Sequence, residues 1–237
     1  MRRCYRWTYL ICLITMLTVF CFGCSQPSNT SSAGQSQEQD MVIKLPEPRD
    51  DSDVSIEQTL LSRRSVRSFT SEPLTLKEVS QLLWAAQGIT DSLGRRTAPS
   101  AGALYPLEVY AVVGNVKDLA SGVYKYEPEK HQLVRVMDGD IRGELANAAL
   151  GQGSVRGGAV AFVITAVYER TTVKYGDRGI RYVHIEVGHA AENLCLQATA
   201  MDLGAVTVGA FTDEQVAEVL NLPEDEQPLY IIPVGRK

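Results

Sequence analysis

The stretch Arg63-Arg64-Ser65-Val66-Arg67-Ser68-Phe69 gathers three arginines and two serines into a short, polar run. Guanidinium groups grip phosphate oxygens through paired, charge-assisted hydrogen bonds, so a run of this composition is a candidate anion site. The alternative is a helix end neutralised by carboxylates, and Glu57 and Glu72 lie close by in sequence. A second stretch, Pro99-Ser100-Ala101-Gly102-Ala103-Leu104-Tyr105-Pro106, is small and turn-forming, which suits backbone lying close against a flat ligand. Together the two stretches point to a bound nucleotide cofactor.

Working outward, residues 55–62 read as a short helix that ends at the arginines. Thr75-Leu76-Lys77-Glu78 is a capping box, and Val79, Leu82, Leu83 and Ala86 then repeat at helical spacing up to Gly88. Strand patterns follow at 107–113 and in a hairpin of 123–126 and 132–136, turned by Glu127-Pro128-Glu129-Lys130. Residues 140–150 form an expected helix. The nearly continuous apolar run 159–167 reads as a central strand buried on both faces. A long helix over 181–203, with Gly204 as its C-cap, lacks a broad polar face and should be covered by sheet or by a partner subunit. A strand over 205–210, a helix opened by Thr212 and reaching Leu220, and a last strand over 229–234 complete an α+β pattern. The glycines at 151, 153, 157 and 158 have neither the preceding strand nor the spacing of a dinucleotide loop and are expected to form a flexible loop.

Residues 1–23 carry a basic start (Arg2, Arg3, Arg6) and an apolar run, the pattern of a signal peptide. Gly23-Cys24 resembles the lipobox of bacterial lipoproteins, which makes Cys24 a lipidation candidate and the cell envelope the expected location. Residues 24–50 form a lipidated, disordered linker, rich in Ser, Gln and Asn, and 51–237 one folded domain. Four of the five cysteines lie in the leader and only Cys195 in the domain, so no disulfide can form within it. Loss of the three leader arginines takes the formal charge from −5 to −8, an acidic balance that argues against nucleic acid as a partner. His184 and His189 are five residues apart and do not share a helix face, so a metal site is not expected.

The motifs Arg63–Arg67, Pro99–Pro106, Lys174-Tyr175-Gly176-Asp177-Arg178-Gly179, Glu186-Val187-Gly188-His189-Ala190-Ala191-Glu192-Asn193-Leu194, Asp202-Leu203-Gly204-Ala205 and Pro233-Val234-Gly235-Arg236 stand in one order. In that order they resemble the FMN-dependent nitroreductase family, and most closely its SagB-type (ThcOx-like) dehydrogenase branch. The resemblance implies a nitroreductase-like fold, a central mixed sheet flanked by helices, with FMN at a homodimer interface and NAD(P)H as the usual donor. It assigns Arg63, Arg64, Ser65, Arg67 and Arg236 to the phosphate and ribityl chain. Pro99, Ser100, Ala101, Gly102 and Ala103 would line the flavin, and Thr207, Val208, Gly209 and Ala210 would approach its pyrimidine edge or N5. Lys174 and Tyr175 match the proton-transfer pair of azoline-oxidising members. The implied activity is hydride transfer through flavin N5 to a small-molecule or peptide substrate. The alternatives are azoline dehydrogenation in peptide modification and a lipid-anchored flavin-binding protein without turnover.

Overall fold

The computed structural model describes residues 42–237, so the expectations for the leader, for Cys24 and for the linker up to residue 41 lie outside the described residues. Seven strands form one sheet in the order β1-β6-β5-β3-β7-β9-β8. They are β1 (Val42–Lys44), β3 (Leu107–Val113), β5 (Gly122–Glu127), β6 (Gln132–Asp138), β7 (Val160–Ala166), β8 (Leu203–Ala205) and β9 (Gln227–Arg236). Each ladder between them is antiparallel. Parallel pairing enters through the Ser65–Ala205 bridge beside β8 and through a separate pair, β2 (Leu74–Thr75) with β4 (Val116–Lys117).

The apolar run around residue 162 becomes β7, whose seven residues are all buried between β3 and β9. Its side chains alternate. Val160, Phe162, Ile164 and Ala166 enter one core with helices α2 (Leu76–Gln87) and α6 (Arg178–Ala200), while Ala161 and Val163 enter a second core. That second core contains Leu145 of α3 (Arg142–Ala148), Val155 of α4 (Gly153–Gly157), and Val216 and Leu220 of α7 (Asp213–Leu220). Two further helices, α1 (Ile56–Ser62) and α5 (Glu169–Tyr175), complete the chain order. The period-two alternation thus assigns one layer of helices to each face of the sheet.

Five local expectations need correction. The folded body takes in β1, which pairs with β6, and Leu45, which is buried, so its described part starts at Val42 rather than at residue 51. His131 at the hairpin turn holds this arm: its ring meets Ser80 Oγ, Tyr126 Oη and the Pro46 carbonyl within 3.0 Å. The glycine-rich segment contains the short helix α4 rather than being only a loop. The helix expected from Asp140 starts at Arg142, because the Asp140 carboxylate takes the Arg142 amide and guanidinium instead. The strand expected over 205–210 stops at Ala205 and resumes only as the Val208–Ile231 bridge.

The fifth correction explains a glycine. Helix α6 ends at Ala200 with Met201 as its cap, and Asp202 takes the left-handed turn (φ 56°). Gly204 instead lies in β8, paired with Gly235 of β9. A Cβ on Gly204 would lie 2.6 Å from Val66 Cγ1, and one on Gly235 would lie 2.9 Å from Phe69 Cβ and Cγ. The two bare positions therefore form a flat bed for residues 66–69. Gly235→Ala should lower stability by about 1–3 kcal/mol through overpacking against Phe69. The control Gly143→Ala, in α3 with nothing within 4 Å of the added carbon, should leave stability unchanged or raise it. Chemical denaturation of both variants checks this, and equal midpoints would remove the bed from the account.

Candidate functional site

Helix α1 opens on a capping box between Ser55 and Gln58 and closes at Arg63, whose amide bonds the Thr59 carbonyl at 2.8 Å. From there the chain is extended because it adds to β8: the Val66 amide donates to the Ala205 carbonyl (2.9 Å) and the Thr70 amide to the Arg236 carbonyl (3.0 Å). Val66 and Phe69 face the glycine bed, and Arg64, Ser65, Arg67 and Ser68 are left exposed. The structure thus brings the arginine stretch beside the terminal Arg236. The carboxylates that meet this cluster are neither Glu57 nor Glu72. Arg63 Nε lies 3.5 Å from Glu192 Oε1, and Arg236 forks onto Glu78 at 2.8 and 3.0 Å. Glu78 also accepts from the Thr75 amide (2.8 Å), so one side chain caps α2 and aims Arg236. Arg64 folds back onto the Leu61 and Arg63 carbonyls.

Next to Ala205 comes the segment holding Thr207, Val208, Gly209 and Ala210. Val208 is buried and exchanges both backbone hydrogen bonds with Ile231, at 2.8 and 3.0 Å. Thr207, Gly209 and Ala210 are exposed, and the Ala210 carbonyl is held by Gln152 Nε2 at 2.8 Å. These residues and the arginine stretch therefore flank the same strand end.

The second predicted stretch folds elsewhere along α6. After the buried Ala98, Ser100 starts a single 3-10 turn, Ala101–Ala103. Its Oγ accepts from the Tyr105 amide at 2.9 Å, and its carbonyl accepts from the Ala103 amide at 3.1 Å. Gly102, Ala103 and Tyr105 all adopt positive φ (67°, 53° and 45°), which costs a side-chain-bearing residue about 1–2 kcal/mol. A Cβ on Gly102 would lie 2.7 Å from Tyr175 Oη and 2.9 Å from Lys174 Nζ. The sequence-named pair thus rests on the sequence-named glycine. Tyr175 stacks edge-on against Tyr182 of α6 (5.1 Å between centroids), and the Lys174 ammonium lies 5.4 Å from the Tyr175 ring centre.

One residue stands out that the sequence motifs had not singled out for a role. Glu186 of α6 is 2 % exposed. Burial pushes its carboxyl up to about 7, against the opposing pull of the Ser100 hydroxyl, the Arg96 charge and the Ala101 amide. Its Oε1 has no hydrogen-bond partner among the described residues. The available signal was positional: Glu186 sits between Val183, Val187 and Ala190 on the helix face that meets the core. Arg96 completes this corner, with its guanidinium 4.6 Å above the Tyr105 ring. The ring of Tyr168 packs against the core, and its hydroxyl lies 2.6 Å from Nε2 of the exposed His184.

The arginine end meets α6 through Glu192, and the chain leading into the 100–105 wall meets it through Asn193, whose amide donates to the Thr97 carbonyl. The two side chains are neighbours in the helix, so both segments come to the same stretch of α6. The arrangement gathers guanidinium groups at one station and, at another, a backbone wall topped by a phenol and an ammonium group.

Comparison with known proteins adds a family to this geometry. A family model described as the nitroreductase family matches residues 60–236. A nitroreductase-family protein of Methanocaldococcus jannaschii is 51% identical over 197 residues, covering 83% of this chain and 97% of that protein. The microcin B17-processing protein McbC of Escherichia coli is 31% identical over 158 residues, covering 64% of this chain and 58% of McbC. Among solved structures, a nitroreductase-like protein from Ralstonia eutropha superposes with a TM-score of 0.73 at 34% identity, covering 83% of this chain and 89% of that one.

The Glu186 carboxyl makes stability depend on pH. The unfolded chain releases this proton near 4.5, whereas the folded protein keeps it to about 7. The stability supplied by the neutral form is therefore complete below 4.5 and lost as pH rises to 7. Glu186→Gln should abolish that loss, so its melting temperature should gain on the native protein between pH 5 and pH 7. Parallel melting curves would remove Glu186 as a buried proton holder.

Proposed function

The chain belongs to the nitroreductase family, and from that premise we propose that it is an FMN-dependent oxidoreductase working in two half-reactions, with NAD(P)H as donor. More distant relatives point the same way: the NADPH-flavin oxidoreductase of Vibrio harveyi and the FMN reductase (NADPH) of Bacillus subtilis are each 26% identical. The observation that carries the reading is the meeting of Arg236 with the arginine stretch across the Gly204–Gly235 bed. It would form an anion grip from the two ends of the domain beside exposed Gly209 and Ala210, where backbone could approach a ring closely.

The residues present fit the cofactor. Arg63, Arg64, Arg67 and Arg236, with the Ser65 hydroxyl, would hold a phosphate of about two negative charges. Glu78 keeps the Arg236 fork oriented, so little side-chain freedom is lost on binding. Thr207, Val208, Gly209 and Ala210 would present backbone to the ring edge. Pro99, Ser100, Ala101, Gly102 and Ala103 would form a wall without bulk. FMN, when bound, supplies a ring that takes up hydride at N5 and returns it. Lys174 and Tyr175 would hold a proton over Gly102 for the substrate.

No hydrogen bond or ion pair among the described residues joins the arginine end to the wall directly. A homodimer closes that gap if the wall of one protomer faces the arginine end of the other. Exposed Val173, Ile180 and Ile185 on α5 and α6 support such pairing, since apolar groups of this size in open water favour burial.

A second reading, azoline dehydrogenation during peptide modification, draws support from the McbC relative together with the Lys174–Tyr175 placement on Gly102. A flavin binder without turnover is the remaining alternative. Export to the cell envelope and lipidation at Cys24 rest on the leader sequence. Cys24→Ser should move the protein from the membrane fraction to the soluble fraction, and unchanged partition would exclude the anchor.

Purified protein should carry one FMN per chain, and Arg63→Ala combined with Arg236→Ala should release it. Stoichiometric FMN retained by that double variant would refute the phosphate assignment. Anaerobic mixing with NADH, NADPH and thiazoline peptides separates the three readings, because a flavin that stays oxidised throughout identifies a binder. Tyr175→Phe should lower turnover about 10²-fold while leaving the FMN dissociation constant unchanged. Turnover equal to that of the native enzyme would take Tyr175 out of the chemistry.

A further inference from the structure

Helix α5 carries Lys174 and Tyr175 but has little of its own to fix it. It is seven residues long, Thr171 is its one buried residue, and Val173 is 80 % exposed. A helix this short is not stable by itself and takes its place from tertiary contacts. Among the described residues, Arg170 is the one side chain of α5 that hydrogen-bonds another element. Its Nη1 donates to the Tyr105 carbonyl (3.2 Å) and its Nη2 to Glu108 Oε1 (2.5 Å). Arg170 and Lys174 are four residues apart and share one helix face.

Both partners of Arg170 are themselves held. Glu108 of β3 lies 3.5 Å from Lys125 Nζ, and Lys125 reaches the buried Glu226 at 2.6 Å. Tyr110 Oη (2.8 Å) and Thr165 Oγ1 (2.9 Å) also donate to Glu226, so this chain of charges is rooted among β3, β5 and β7. Tyr105 has positive φ, and such backbone persists only where its surroundings over-determine it. Its amide donates to Ser100 Oγ (2.9 Å), its phenol accepts from the Arg96 amide (3.3 Å), and its ring lies under the Arg96 guanidinium. Arg170 takes the carbonyl. Helix α5 therefore meets the wall twice, through Arg170 on Tyr105 and through Lys174 and Tyr175 over Gly102.

We propose that Arg170 is a positioning residue: by bridging the Tyr105 carbonyl and Glu108, its guanidinium fixes α5 against the wall and so sets the Lys174 ammonium and the Tyr175 phenol over Gly102. The proposal rests on the reading of Lys174 and Tyr175 as the proton-holding pair of an FMN enzyme. The required property is a rigid fork of two donors, which an ammonium group on a flexible stem does not supply. An ordinary ion pair of a side chain this open to water, 42 % exposed, would add little stability and would leave turnover untouched.

The test compares Arg170→Met and Arg170→Lys with the native protein. The first readout is hydrogen exchange of the peptides spanning residues 98–106 and 168–176 in the absence of substrate. Arg170→Met should exchange both about fivefold faster, the ratio that corresponds to one lost hydrogen bond of about 1 kcal/mol. Arg170→Lys, which keeps the charge, should resemble Arg170→Met. The second readout is turnover with NADPH or a thiazoline peptide, whichever reduces the bound flavin. Arg170→Met should lower it about fivefold and leave KM and the FMN dissociation constant within about twofold. In a background of Lys174→Met combined with Tyr175→Phe, the same substitution should lower turnover no further, because nothing remains for it to position.

Native exchange in Arg170→Met, or an equal drop of turnover in both backgrounds, would overturn the proposal. Native behaviour of Arg170→Lys would overturn it too, since charge alone would then suffice. The two levels fail separately. Faster exchange of both peptides in a protein that binds no FMN would leave the positioning of α5 standing and remove the function. Native exchange in an Arg170→Met protein that still reduces its flavin would do the reverse.

Discussion

The constraint on which the arrangement depends is the absence of two side chains. Gly204 and Gly235 pair across β8 and β9, and the surface they leave is low enough for Val66 and Phe69 to lie on it. That contact lets residues 65–70 run as an additional edge segment, with backbone bonds to Ala205 and Arg236. Val66 and Phe69 are three residues apart, so the run does not keep strict strand alternation, and packing both of them on the bed leaves Ser65, Arg67 and Ser68 exposed. The arginine run is therefore displayed by packing rather than by its own hydrogen bonds.

Electrostatics then refine what packing positions. Arg236 and Arg63 are each steadied by a carboxylate, Glu78 and Glu192, while Arg64 and Arg67 stay open to solvent. A guanidinium already oriented by one carboxylate still has N–H groups to offer and gives up little entropy when it takes a second anion. Along α6 the pattern is different. There a buried carboxyl faces a hydroxyl and an amide, with the Arg96 charge close enough to lower its pKa but not enough to offset desolvation. One helix thus serves an ionic station and a nearly neutral one.

Much of this was legible in the residues, where local rules and tertiary packing agree. The capping box at Thr75 and Glu78 appears as read, and so do the helix after Ser55, the strand 107–113 and the buried run of β7. The nitroreductase-like fold, with helices on both faces of a central sheet, is the fold of the solved relatives. Gly204 was read as a helix cap because glycine after an apolar helix usually is one; the competing demand came from Val66 and Phe69, far away in sequence. Glu186 escaped for a related reason. Its periodicity with Val183, Val187 and Ala190 marks a buried position, but Ser100 and Arg96, which bear on its carboxyl, lie on a separate segment. The short strand β1 was absorbed into the linker because three residues next to Leu45-Pro46 carry too little pattern to be seen without the hairpin they pair with.

Strand order also has a geometric consequence for attachment. β1 and β8 are the two extremes of the sheet, with five strands between them. Six inter-strand spacings amount to about 29 Å. The chain that leads into Val42 therefore joins the molecule at one border of the sheet, and the arginine stretch stands at the opposite border. His131, Ser80 and Pro46 pin that entry point, so a pull on the N-terminal arm would be borne by the hairpin and α2 and would not reach β8 and β9 first. The domain is thereby built as a body that can be held from one side while the side carrying the arginine stretch stays outward.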